Sequence, residues 1–160
     1  MDATRLLEQQ HREVEALFAE LEKGAKDARK TVKELARNLL AHMVIEQAIF
    51  YPAVKEAGAD AIHEAYEEHH VARVEIARLV ATDTDDETFA AKVKTLKELI
   101  AHHVKEEEKE LFPKVRKRVE AEQLASLGES MKKDFDRLVE RLPRTLHARA
   151  EAVDVLADVA

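Results

Sequence analysis

Cysteine is absent from this chain of 160 residues, which removes disulfides, thiolate-held zinc, iron–sulfur clusters and thiol catalysis. Glycine and proline number only three each, and aromatics make up 4% of the chain beside 46% hydrophobic and 37% charged residues. That composition predicts an all-helical protein. The glycines, at positions 24, 58 and 128, are isolated, so no phosphate-cradling loop or nucleotide motif is present, and no nucleophile triad is visible. Haem has no Cys-x-x-Cys-His motif to attach to and few aromatics to pack against it. Concentrated positive charge is lacking as well. A net charge of −7 and a pI near 5.7 argue against a nucleic-acid surface. The start, Met1 to Arg5, has no apolar run after a basic segment, and no stretch approaches the ~18 apolar residues of a membrane span. A soluble, cytoplasmic chain is expected.

What is present is amphipathic periodicity. A first helix is predicted from about Thr4 to Lys23, with Leu7, Val14, Phe18 and Leu21 on one stripe and Gly24 as its stop. A second begins near Asp27, carries Val32, Leu35, Leu39, Ile49 and Phe50 inward, and ends at Pro52 or the Ala57-Gly58 step. A third runs from about Asp60 to Ala81, followed by the apolar-free run Thr82 to Asp86, read as a loop and the next N-cap. A fourth carries Phe89, Val93, Leu96, Leu99, Ile100 and Leu111, kinked or broken near Pro113. Short connections favour an up-down-up-down four-helix bundle over residues 1–119. Residues 120–160 read as a helical extension interrupted near Gly128, broken at Pro143, with a weakly amphipathic piece from Leu146 to Val159. It either covers the bundle or joins two chains, so monomer and homodimer both stand.

Two motifs carry chemistry. His42-Met-Val-Ile-Glu46 and His103-Val-Lys-Glu-Glu107 lie 61 residues apart, and the same offset takes Phe50 to Leu111, Tyr51 to Phe112 and Pro52 to Pro113. A histidine and a carboxylate at i and i+4 share a helical face, about 6 Å apart along the axis. That is how one helix offers two ligands to one metal centre.

Two further histidines fall at the same height. Counted from the shared turns, His11 and His42 are about 14 and 15 residues away, and His69 and His103 about 14 and 17. His11, His42 and His103 lie on the apolar stripes of their helices. In the third helix His69 and His70 are adjacent, and projecting the apolar residues Ile62, Tyr66, Val71, Val74, Ile76, Leu79 and Val80 favours His69, with His70 as the alternative. A single core histidine is usually just a hydrogen-bonded core residue. Four imidazoles and two carboxylates buried at one level are very costly without a compensating cation. His63, His102 and His147 are read as solvent-facing or as supporting contacts. Mixed imidazole and carboxylate without sulfur suits iron or manganese, with zinc and copper possible by affinity.

One histidine from the first helix, His-x-x-x-Glu from the second, one histidine from the third and His-x-x-x-Glu from the fourth resemble the hemerythrin-like (HHE cation-binding) family over about residues 3 to 116. The resemblance implies two non-haem irons bridged by Glu46, Glu107 and a solvent-derived oxygen (Fe-O-Fe or Fe-OH-Fe), with manganese or zinc behind iron. It implies His11 and His42 on one iron, His69 and His103 on the other. Oxygen carriers of that family have a fifth histidine one turn along, in a His-x-x-x-His pattern. Here Arg73 and Ala65 stand four residues either side of His69. Reversible oxygen carriage is therefore not implied, and open coordination positions permit chemistry. Tyr66, His63, His70 and Glu15 stay open as a further ligand or contact. A ferritin-type scheme, built on Glu8-x-x-His11, Glu67-x-x-His70, Glu46 and Glu107, leaves His42 and His103 without a role.

Three functions follow as expectations. The first is a di-iron protein that binds or reacts with O2, NO or H2O2 in peroxide or NO stress, with catalase-like, peroxidase-like or NO-handling turnover open. The second is an iron-sensing or iron-storing module. The third is a metal-free scaffold associating through residues 120–160. No nucleic acid or membrane partner is expected.

Overall fold

The computed structural model describes residues 1–142, and these are helical throughout apart from the connections. In chain order the elements are α1 (Ala3–Glu22), α2 (Ala28–Ile45), a π turn (Glu46–Phe50), α3 (Tyr51–Val80), α4 (Phe89–Glu106), a second π turn (Glu107–Leu111), α5 (Phe112–Arg118) and α6 (Ala121–Arg141). Asp2 caps α1 and Asp27 caps α2, each carboxylate accepting the backbone N–H three residues on at 3.0 Å. Gly24, at φ 81°, ends the first helix in the left-handed region that glycine tolerates. The cap of α4 falls later than the acidic run. It is Thr88, whose N–H is held by the Asp86 carboxylate at 2.7 Å.

Of the two ends offered for the second helix, the Ala57-Gly58 step holds and Pro52 does not, and Pro113 does not break the fourth. The helices run through Pro52 and Pro113, and each proline is preceded by a widened turn in which Tyr51 N–H reaches Glu46 O and Phe112 N–H reaches Glu107 O. Proline lacks an N–H and crowds the carbonyl four residues back. One extra residue in the preceding turn relieves that crowding without ending the helix. The true bend is at Gly58, which leaves helical dihedrals inside α3. The Arg118 guanidinium donates to the carbonyls of Glu56 and Ala57 there, at 3.1 and 3.2 Å. A side chain at Gly58 would meet Leu111 at 2.8 Å.

The core divides into two apolar layers. Val14, Phe18, Leu35, Leu39, Ile76, Leu79, Leu96 and Ile100 fill one end of the bundle. Leu6, Leu7, Phe50, Tyr51, Val54, Ile62, Leu111, Phe112 and Val115 fill the other, joined by Leu124 and Met131 of α6. Val71 and Val74, expected on the apolar face of the third helix, are instead about half exposed (48% and 49%). Gly128 does not interrupt α6. The helix runs through it and packs on α1 and α2, and the missing side chain lets the backbone of Met1, Asp2 and Ala3 pass against it. Pro143, His147 and the expected piece from Leu146 to Val159 lie outside the described residues.

Candidate metal centre

Between the two apolar layers sit His11, His42, Glu46, His69, His103 and Glu107, all buried. Each of α1, α2, α3 and α4 contributes one histidine, and each π turn opens with one of the glutamates. His70 is exposed, and so are His63 and His102. The ligand atoms form two groups, each within 4.8 Å: His11, His42, Glu46 and Glu107, and then Glu46, His69 and His103. Glu46 belongs to both. Its Oε1 is 3.2 Å from His42 Nε2 and its Oε2 is 3.3 Å from His69 Nε2. Glu107 Oε2 lies 3.3 Å from His11 Nε2 and 3.6 Å from His103 Nε2. Each carboxylate thus stands between imidazoles of different helices.

The outer nitrogens are fixed. His42 Nδ1 is 2.8 Å from Gln10 Oε1, His103 Nδ1 is 2.8 Å from Glu68 Oε2, and His11 Nδ1 is 2.9 Å from Glu108 Oε1. An acceptor at Nδ1 sets the tautomer that leaves Nε2 a lone pair directed inward, the arrangement found behind metal-bound histidines. Glu108 is in turn gripped by Arg12. Each acceptor is the chain neighbour of a residue in the cluster: Gln10 of His11, Glu68 of His69, Glu108 of Glu107. His69 is the exception, with Nδ1 unpartnered. The counterpart of Glu108, Gln47, gives its side-chain oxygen to Arg73.

Tyr51 completes the site and was not among the residues expected there. Fully buried, it donates to Glu107 Oε1 at 2.9 Å and stands 3.5 Å from His69 Nε2. On a regular α-helix the fifth residue after Glu46 points about 140° away from it. The π turn brings that residue back beneath the glutamate. In the second half the same turn brings in Phe112, which stacks on His11 with ring centroids 6.1 Å apart. The named alternatives lie elsewhere. Tyr66 donates to the Gln47 carbonyl at 3.3 Å, and Glu15 pairs with Arg12 on the surface. Glu8 pairs with Arg116 and Glu67 is exposed, so the ferritin-type set does not assemble.

Electrostatics reflect the crowding. Burial works against ionising Glu46, yet His42 and His69 outweigh it and hold its carboxyl well below the usual range. Burial lowers the pKa of His103, but Glu107, Glu68 and Glu46 overturn that and push it up to about 9. His11 is raised in the same way by Glu107, Glu46 and Glu108 against the effect of burial. Burial dominates at His69, which is lowered, and at Tyr51, which burial and then Glu107 keep protonated well above the usual phenol range. Even so, His11 Nε2, His42 Nε2, both oxygens of Glu46 and Glu107 Oε2 lack an aligned hydrogen-bond partner. Orphaned buried polar atoms cost on the order of 1–3 kcal/mol each. All of these point into one space, where cations would satisfy them together. The donor set therefore fits a metal centre.

A cavity adjoins it, lined by His11, His42, His69 and His103 on one side and by Val14, Leu39, Met43, Ile100 and Val104 on the other. Its free volume is about 10 Å³, close to the roughly 10–15 Å³ that one water needs.

A helical bundle with imidazoles and carboxylates directed into its interior defines a cation-binding four-helix domain. The chain belongs to the family described as the hemerythrin HHE cation binding domain, which it matches over residues 2–115. It is similar to a DNA nickase of Nostoc sp. (strain PCC 7120), 25% identical over 146 residues, covering 89% of this chain and 41% of that protein. The chain thus spans less than half the length of that relative. Its fold resembles the crystal structure of a hemerythrin HHE cation binding domain-containing protein from Mycobacterium kansasii, a homolog of Rv2633c. The TM-score is 0.83 at 23% identity, over 96% of this chain and 98% of the other. No helix among the described residues is long and apolar enough to cross a membrane.

Proposed function

We propose that this protein holds two non-haem irons, His11 and His42 at one, His69 and His103 at the other, with Glu46 and Glu107 between them. In this reading the centre binds or reacts with a small ligand such as O2, NO or H2O2. The observation that carries it is the division of Glu46, whose two oxygens face histidines of two separate ligand groups. When bound, two neighbouring irons exchange two electrons together, which suits ligands at the oxygen and peroxide level. The chain's own residues do the rest. Gln10, Glu68 and Glu108 orient three imidazoles, and the aliphatic wall excludes bulk water. Tyr51 holds a proton beside Glu107 Oε1. A cavity with about 10 Å³ of free volume favours a ligand of one or two non-hydrogen atoms over an organic substrate.

The test is iron content with hydrogen peroxide consumption. Two irons per chain and peroxide loss that disappears in Glu46→Ala and Glu107→Ala support the proposal. Unchanged turnover in both variants removes the enzymatic form of it.

An iron-sensing or iron-storing role is the second reading, favoured by the orphaned buried atoms, which make the metal-free interior poorly satisfied. Helical content and melting temperature that ignore chelation would count against it. The activity named for the Nostoc relative is not carried over, because a net charge of −7 suits a nucleic-acid surface poorly.

A further inference from the structure

The chain has two tyrosines, no tryptophan and no cysteine. Its readily oxidised aromatic side chains are therefore Tyr51 and Tyr66 alone, and they touch. Their rings meet edge-to-face with centroids 5.6 Å apart. Tyr51 is fully buried against Glu107 and His69, whereas Tyr66 is half-buried, with its hydroxyl on the Gln47 carbonyl. At the place equivalent to Tyr51 in the other half of the bundle stands Phe112, which cannot be oxidised in this way.

We propose that Tyr51 and Tyr66 form a one-electron relay connecting the metal centre to an external reductant at the protein surface. This rests on the reading of a centre that reacts with peroxide. With iron bound and oxidised by peroxide, Tyr51 would supply one electron, and its phenolic proton would pass along the existing hydrogen bond to Glu107 Oε1, the oxygen that faces Tyr51 while Oε2 faces His11 and His103. Tyr66 then returns an electron to Tyr51, which takes its proton back from Glu107, while the Tyr66 proton leaves to water. A small phenol or ascorbate gives a hydrogen atom to the Tyr66 radical and restores it. Two such passages deliver two electrons, which with two protons from solvent reduce one H2O2 to two waters and leave two oxidised reductant radicals. Without the relay, oxidising equivalents remain beside Met43, a buried thioether lining the cavity, whose product with peroxide is methionine sulfoxide and water.

The test uses iron-loaded full-length protein mixed with hydrogen peroxide, frozen within milliseconds and examined by electron paramagnetic resonance, with Met43 oxidation read by mass spectrometry. The wild type gives a tyrosyl radical that ascorbate removes. Tyr66→Phe, which keeps the ring packing, loses the ascorbate-quenched signal, and its Met43 sulfoxide rises by roughly threefold or more. Peroxide consumed with no tyrosyl radical in the wild type overturns the relay while leaving the metal-centre reading intact. The same holds if Tyr66→Phe matches the wild type in both radical and Met43 oxidation. Iron that is bound but unchanged by peroxide overturns the peroxide reading and the relay together.

Discussion

Tyr51 and Phe112 are counterparts: each follows a glutamate of the centre by five residues, and each is swung inward by a π turn. Only one has a hydroxyl, so the two halves of the site differ chemically where the backbone treats them alike. The side near His69 gains a phenol, and the side near His11 gains a stacked ring.

Removing that phenol separates its two effects. Tyr51→Phe deletes the hydrogen bond to Glu107 Oε1 and leaves a buried oxygen unpaired. A loss of about 1–3 kcal/mol of folding stability is expected, measured as a lower melting temperature. The near-ultraviolet spectrum of the iron-loaded protein should change, because a group beside the metal ligands has gone. Phe112→Leu should leave that spectrum much closer to wild type.

Metal stoichiometry should respond unequally to the ligands. Glu46 faces both groups, so Glu46→Ala lowers iron content from two towards zero. His42→Ala touches one group and should leave about one iron per chain at sub-stoichiometric chelator. Metal analysis after desalting checks both.

The supporting acceptors predict a graded effect. Glu68→Leu frees His103 Nδ1, and Gln10→Leu frees His42 Nδ1. Each should weaken iron affinity by roughly 10–100-fold without abolishing folding, as read by competition with a chelator of known affinity.

The metal-free protein should have a particular pH dependence. His103 is raised to about 9 in the folded chain from an ordinary value of 6.5. Its contribution is fully present below 6.5 and is lost as pH rises through 9. Glu46, lowered well below its usual value of 4.5, contributes above that value and stops contributing in strong acid. Melting temperatures of chelator-treated protein should therefore fall between pH 6.5 and 9. Iron competes with the His103 proton, so affinity should rise over the same interval.

The buried cluster was legible because a helix repeats on its own face. His42 and Glu46, and then His103 and Glu107, declare themselves by spacing, and the matching offset of the proline frame ties the two halves together. His69 could be separated from His70 by its apolar neighbours, although two of these, Val71 and Val74, face outward. Tyr51 was not legible, since projection at 100° per residue assumes regular turns and the π turn adds one residue. Gly128 was misread for a different reason. Local propensity treats glycine as a helix breaker, but here tertiary contact with the N-terminal backbone fixes its role. The outer acceptors left a faint signal. Gln10, Glu68 and Glu108 are chain neighbours of cluster residues and reach across to another helix.

Gly128→Ala tests that last assignment. A methyl group there collides with Met1 and Asp2, so α6 or the N-terminus must shift. A destabilisation of about 1–3 kcal/mol is expected, with iron content unchanged because the contact falls at the start of α1, roughly two turns before His11.

Anomalous diffraction at the iron edge from crystals of the reconstituted protein is the most direct measurement. Two peaks are predicted inside the bundle, one beside His11 and His42 and the other beside His69 and His103, with Glu46 reaching both. A single peak, or iron bound elsewhere while these six side chains contact only one another, would contradict the account.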